Sequence, residues 1–270
     1  MRIYNNVNSV GIQNTLNLTN TAMKNSLEKL STGLRINRAS DDAAGLSVSE
    51  GLRSQIRGSQ MAQRNANDGL AMLQIAESGT SQITDSLQRM RELAVQAANG
   101  TYSNTDRGYI NQEYAALASE ITRIAQSTSY NGVALLSTSS AFSFQISSAS
   151  TGGSSTISFS PTDLSAGLNF GGVTSQSAAQ TAVSDIDTVM ASVLSMRSTI
   201  GSTMNRLEAT VTNLGSSVTN LTDAESRIRD TDFASETTKF TRNQILTQSA
   251  TSMLAQANQL PSGVLTLLRP

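Results

Sequence analysis

Residues 183–228, VSDIDTVMASVLSMRSTIGSTMNRLEATVTNLGSSVTNLTDAESRI, decide the fold. Val183, Ile186, Met190, Val193, Ile200, Met204, Leu207, Val211, Leu214, Val218, Leu221 and Ile228 recur in strict alternation of three and four residues, and only Arg197 and Glu225 interrupt the stripe. An apolar seam with a mean spacing of about 3.5 residues keeps one helix face against a partner helix over many turns. The stretch therefore reads as a coiled-coil helix. Its 46 residues measure about 69 Å at 1.5 Å per residue. A compact globule of this chain length is about 48 Å across, so a rod is predicted.

A helix with a seam needs partners, and the amino-terminal half supplies them. Arg38-Ala39-Ser40-Asp41-Asp42 reads as a helix start, with Ser40 as cap and the aspartates at the positive end of the dipole. From there to Asn99-Gly100 the chain contains no proline and carries two stripes. One is Leu52, Ile56, Ala66, Leu70 and Leu73; the other is Met72, Ala76, Gly79, Ile83, Met90, Leu93 and Ala97. Gly45, Gly51, Gly58, Gly69 and Gly79 each cost about 1 kcal/mol relative to Ala, which close packing or a bend must offset. Gly100 reads as a stop. A third helix follows Asn104-Thr105-Asp106, where Ile110, Tyr114, Leu117, Ile121 and Ile124 repeat the spacing.

Between Ile124 and Asp185 the only charged residue is Asp163, and 20 of the 46 residues from Ser137 to Ala182 are Ser or Thr. Phe142, Phe144 and Ile146 alternate, Thr151-Gly152-Gly153 offers a turn, and Ile157 and Phe159 alternate again. This predicts a β-hairpin over about 141–160, with loop from Pro161 onward. The fold class is mainly α: a long antiparallel coiled-coil rod of three helices with a small β-hairpin region, plus paired terminal helices.

Those terminal segments carry narrower stripes. Leu16, Met23, Leu27, Leu30 and Leu34 lie at one end, and Leu246, Ala250, Met253, Ala257, Leu260, Val264 and Leu267 at the other. Both segments are rich in Asn, Ser and Thr, middling helix formers, and Pro261 removes a helical hydrogen bond. Such helices depend on packing. They are expected to order on assembly, coupling folding to binding.

Composition sets the outer limits. With 19 Lys+Arg against 20 Asp+Glu, the net charge of -1 offers no basic excess for nucleic acid. The chain has no Cys, His or Trp, which removes disulfides, cysteine and histidine metal sites, and Ser-His or Cys-His catalysis. Six Phe and five Tyr supply little aromatic volume for a thick core. Neither a signal-peptide core nor a stretch near the ~20 apolar residues of a membrane span is present, so no membrane insertion is expected. No catalytic residue, cofactor or metal is expected either. Gly152-Gly153 lacks the Lys of a phosphate loop, and the paired acids Asp41-Asp42 and Asp230/Asp232 lack calcium-loop spacing and read as helix caps.

Several stretches closely resemble one family, bacterial flagellin, the subunit of the flagellar filament. In order they are Leu30-Ser31-Thr32-Gly33-Leu34-Arg35-Ile36-Asn37 with Asp41-Asp42-Ala43-Ala44-Gly45, Gln88-Arg89-Met90-Arg91-Glu92-Leu93-Ala94-Val95-Gln96, Ser129-Tyr130-Asn131-Gly132, Glu225-Ser226-Arg227-Ile228-Arg229-Asp230-Thr231-Asp232, and Ala257-Asn258-Gln259-Leu260-Pro261. The resemblance spans roughly residues 1–136 and 183–268. It implies a hairpin-shaped chain whose ends pair in an inner domain lining the filament channel, about 1–40 with 232–270. Residues 41–231 would form the rod domain. The 46 residues from Ser137 to Ala182 leave room for the hairpin and loop only, so a short form with little or no outer domain is expected.

The resemblance also implies a secreted, extracellular protein, exported unfolded by the flagellar type III apparatus and self-assembling for motility. Its implied partners are further copies of itself, a secretion chaperone on the carboxy-terminal segment, the filament cap and the hook-filament junction proteins. Leu27, Leu30, Leu34, Leu246, Met253, Leu260, Val264 and Leu267 are the candidate polymerisation seam. In some flagellins the segment matching Gln88–Gln96 is recognised by the flagellin-sensing Toll-like receptor of vertebrates; carried over, Arg89, Leu93 and Glu113 are the contacts, beside an ordinary role in helix packing. The alternative is a hook-filament junction (hook-associated) protein, against which the Gln88–Gln96 and Leu260-Pro261 segments speak.

Overall fold

The computed structural model describes residues 6–147, 155–164, 167, 168 and 170–267, with side chains described through residue 259. Five helices hold most of the chain: α1 (Val7–Thr32), α2 (Ala43–Ala98), α3 (Asn104–Ser127), α4 (Gln176–Arg229) and α5 (Phe233–Leu267). Two antiparallel pairs interrupt them, β1 (Ser129–Tyr130) with β2 (Val133–Ala134) and β3 (Phe142–Gln145) with β4 (Thr156–Phe159). The chain divides into two compact units. One holds the described residues up to Ser54 with those from Asn220 onward; the other holds those from Gln55 to Thr219.

The helix boundaries follow local chemistry. α2 starts two residues later than the Ser40 reading expects, because Asp42 Oδ1 accepts from the Gly45 N–H at 2.9 Å while Asp41 Oδ2 turns back to the Asn37 and Arg38 N–H groups. Ser103 opens α3 with a capping box to Asp106. α1 ends at Gly33, whose φ of 74° takes the left-handed turn that a Cβ would strain. Within α1 and α5, Thr15, Thr19, Thr21, Thr237, Thr238 and Thr241 each donate to the carbonyl four residues earlier. That internal bonding accommodates a hydroxyl-rich sequence in helices.

The Gln55–Thr219 unit has one apolar core. Leu73, Ile83, Leu87 and Met90 of α2 meet Tyr114 and Ile121 of α3 and Ile186, Val193, Ile200 and Leu207 of α4. The hairpin joins it through Ile157 and Phe159; Phe142 stacks on Phe159 with ring centroids 6.3 Å apart. Strand register pairs Phe142 with Phe159 and Phe144 with Ile157, so both alternating runs of the sequence lie on one face. The Thr151-Gly152-Gly153 turn lies outside the described residues. The described residues between Pro161 and α4 form no helix or strand of their own, but Leu164 and Val173 are buried and the Val173 N–H donates to Asn111 Oδ1 at 2.9 Å.

Along α4 burial stops midway. Ile186, Val193, Ile200 and Leu207 are closed off from solvent, whereas Val211, Leu214, Val218, Leu221 and Ile228 are only half-buried although they continue the same spacing. Arg197, one of the two breaks in the seam, turns aside to Glu77 on α2, with its Nε and Nη2 3.0 and 2.7 Å from Glu77 Oε1.

Candidate self-assembly surfaces

The terminal helices pack against each other in antiparallel fashion. At one end Asn6 Nδ2 donates to the Ala257 carbonyl at 2.9 Å and Ser9 Oγ to Asn258 Oδ1 at 3.0 Å. At the other end Ser26 and Glu236 are both buried, and the rise that burial gives the Glu236 carboxyl pKa is more than offset by Ser26 and Lys239 beside it. On α1 the facing line is Ile12, Leu16, Thr19, Met23, Ser26 and Leu30; on α5 it is Glu236, Phe240, Asn243, Thr247, Ala250, Leu254 and Ala257, all buried or half-buried. Both lines alternate by three and four residues, a heptad seam. It is unusually polar. Apolar and hydroxyl, amide or carboxylate positions are mixed, and the most deeply buried members are Thr19, Ser26, Glu236, Ala250 and Ala257.

The sequence-derived stripes overlap this seam only in part. Leu30 and Leu34 are half-buried, Leu34 through an antiparallel bridge to Asp230. Leu27, Leu246 and Met253 stay 55, 48 and 55% exposed, as does Ile245 at 58%. The side chains of Leu260, Val264 and Leu267 lie outside the described residues. Ala250 and Ala257 belong to both stripes. An apolar groove lined by Val7, Gly11, Ile12, Ala250, Met253 and Ala257 runs along the same pair. Hydrophobicity alone had ranked Leu246 and Met253 above Asn243 and Thr247, yet the latter face α1.

Between the terminal pair and the long helices, the two chain halves are stitched together. Arg35 N–H donates to Arg229 O at 2.6 Å and Thr231 N–H to Gly33 O at 3.0 Å. The Arg35 guanidinium donates to Ile228 O at 2.6 Å. Arg229, largely buried, reaches Glu50 at 2.8 Å. The guanidinium beside it holds the Glu50 carboxyl below the usual carboxylate range.

Arg89 and Glu113 come together on the surface of the other unit. Arg89 Nε lies 2.9 Å from Glu113 Oε1 on α3, and its Nη1 lies 2.9 Å from Glu92 Oε2 one turn along α2. Bonds from Glu92 and then Glu113 raise the Arg89 pKa further. Leu93 does not share that surface; at 3% exposed it packs in the core. Sequence reading missed Arg107, which is buried and donates to Ala97 O at 2.8 Å, Asn99 O at 3.0 Å and Asn104 Oδ1 at 3.0 Å. It places a cation on the last carbonyls of α2. The only signal in sequence was a basic residue shortly after a helix stop.

Family models match at both ends. The bacterial flagellin N-terminal helical region covers residues 3–141 and the bacterial flagellin C-terminal helical region covers residues 183–268. The chain belongs to the bacterial flagellin family. It is similar to the flagellar filament 33 kDa core protein of Treponema phagedenis, 42% identical over 288 residues and all of both chains. Among solved structures it resembles Bacillus cereus flagellin, with a TM-score of 0.51 and 30% identity over 56% of this chain and 88% of that one. A flagellar hook-associated protein of Vibrio parahaemolyticus has a TM-score of 0.59 at 17% identity, covering 70% of this chain and 100% of that one. At that identity the likeness is one of fold. Full-length matches at this identity also fit a short form without a large outer domain.

Proposed function

We infer that the chain is the structural subunit of a bacterial flagellar filament, acting outside the cell in motility and carrying no catalytic activity. The observation that carries this reading is the paired terminal helices, whose seam mixes apolar and polar residues while Leu27, Leu246, Met253 and Ile245 stay largely exposed. Apolar side chains left largely exposed around such a pair suit neighbours in an assembly. A contact between different faces of identical subunits does not close on itself and so propagates as a helical fibre. In that filament residues of about 1–40 and 232–270 form the inner, channel-lining domain, and 41–231 the rod domain around it. Leu27, Leu30, Leu34, Leu246, Met253, Leu260, Val264 and Leu267 form the polymerisation seam.

The same reading assigns export through the flagellar type III apparatus, a chaperone on the carboxy-terminal segment, and contacts with the filament cap and hook-filament junction. Arg89 and Glu113 present the polar part of a surface for the flagellin-sensing Toll-like receptor, with Leu93 supporting it from within. The hook-associated alternative rests on likeness of fold alone and is not preferred. Seeded assembly followed by negative-stain electron microscopy tests the function. Filaments from the full chain and none from a variant lacking residues 1–36 and 235–270 support it; a full chain that stays monomeric with seeds from its own source contradicts it.

A further inference from the structure

We propose, resting on the filament-subunit reading, that Met253 is an oxidation site: a peroxide that converts its thioether to the sulfoxide on the unassembled subunit keeps that subunit out of the filament. Composition narrows the chemistry. Cysteine, histidine and tryptophan are absent, so no thiol takes up peroxide in competition and methionine sulfur is the most readily oxidised group in the chain.

Burial then sorts the methionines. Met72, Met90 and Met196 are buried in the core of the Gln55–Thr219 unit, and Met23, Met190 and Met204 are half-buried. Among the described methionines only Met61 and Met253 are exposed, at 49 and 55%. The Met61 sulfur accepts a hydrogen bond from the Arg64 guanidinium, which draws on the lone pair that a peroxide needs. Met253 instead lines the apolar groove along α1 and α5 with Val7, Gly11, Ile12, Ala250 and Ala257. Around that groove the terminal pair is free of charge, because residues 3–23 and 243–268 contain no Asp, Glu, Lys or Arg. The bonds from Asn6 to Ala257 and from Ser9 to Asn258 bring these two stretches together. Identical copies meet at such a surface with no like charges opposed, so the occupant it fits is another copy of this chain.

The step is a two-electron oxygen transfer. The Met253 Sδ lone pair attacks one peroxide oxygen and the O–O bond breaks; the proton on the transferred oxygen passes to the departing hydroxide, which leaves as water. Sulfur is oxidised and the peroxide reduced. A flexible apolar side chain becomes a polar one. Its S=O oxygen must shed water to enter the contact, which weakens seating of the subunit by about tenfold.

The full chain is treated with hydrogen peroxide to partial conversion and seeded, and pellet and supernatant are compared by peptide mass mapping. Met253 sulfoxide is expected to be enriched about tenfold in the supernatant, while Met61 sulfoxide divides evenly. Methionine sulfoxide reductase should return the supernatant subunits to assembly. Met253→Leu, which keeps volume and polarity close, should assemble after peroxide as well as before. Met253 sulfoxide no more enriched than Met61 sulfoxide, or a Met253→Leu chain that loses assembly to peroxide as wild type does, overturns the proposal. If untreated Met253→Leu does not assemble, the wild-type partition decides alone. Untreated wild type that forms no filaments with seeds from its own source refutes the subunit reading itself, and the oxidation assignment with it.

Discussion

Two helix-interior glycines of the same unit should respond oppositely to alanine. At Gly201 in α4 a Cβ would meet nothing within 4 Å, so Gly201→Ala gains only helix propensity, about 1 kcal/mol. At Gly79 in α2 a Cβ would stand 2.8 Å from Thr128 Oγ1 and 3.0 Å from Leu136 Cδ1. Neither neighbour yields easily. Thr128 is held by its own hydrogen bond to Ile124 O at 2.7 Å, and Leu136 is fully buried. Overpacking costs about 1–3 kcal/mol, which outweighs the same propensity gain and leaves Gly79→Ala about 1 kcal/mol less stable than the parent. At about 2–4 °C per kcal/mol for a unit of this size, the two variants should melt roughly 4–8 °C apart. Thermal unfolding followed by circular dichroism measures it. Equal increases in Tm would show that the α2–α3 approach at Gly79 does not depend on a missing Cβ.

Other consequences follow from single groups. Arg107→Met strips the last α2 carbonyls of a buried cation and should lower stability by about 2–4 kcal/mol in urea unfolding. Tyr114 is buried with a hydroxyl that finds no partner among the described residues; burial, with a smaller contribution from Asp185, pushes its pKa up from 10.0 to about 12. The folded chain then holds a proton that the unfolded chain releases, so this contribution is whole below pH 10 and is lost as the pH rises towards 12. Tyr114→Phe should flatten that alkaline decline in a pH series of melts. Arg89→Ala and Glu113→Ala break only exposed ion pairs, to Glu92 as well as between the two, so Tm should match wild type. A receptor reporter assay with the purified monomers should then show reduced activation, whereas an undiminished response refutes the contact assignment.

Long elements were legible in the sequence because hydrophobic spacing dominates where a helix is closed in on several sides. The Val183–Ile228 seam, the stripes of α2 and α3, and the alternating Phe142/Phe144 and Ile157/Phe159 runs all appear as elements in the structure. What escaped were features with weak apolar contrast. The α5 face that meets α1 runs through Glu236, Asn243 and Thr247, residues no hydrophobic template selects. The α2 cap moved from Ser40 to Asp42 because the turn at Asn37–Asp41 is closed by the Asp41 side chain, a competition between neighbouring caps. Leu93, a surface contact by resemblance, is buried with Met90 and Ala97, the stripe that the spacing of α2 places it in.

The central claim is that the terminal helices close on each other through a seam of mixed apolar and polar residues and leave Leu27, Leu246 and Met253 for neighbouring subunits. A helical reconstruction by electron cryomicroscopy, of filaments grown from this chain, tests it most directly. The account predicts α1 paired with α5 within each subunit, and Leu27, Leu246 and Met253 buried against adjacent copies. Filaments in which those three side chains face solvent or the channel, or in which α1 and α5 of one subunit are apart, would contradict it.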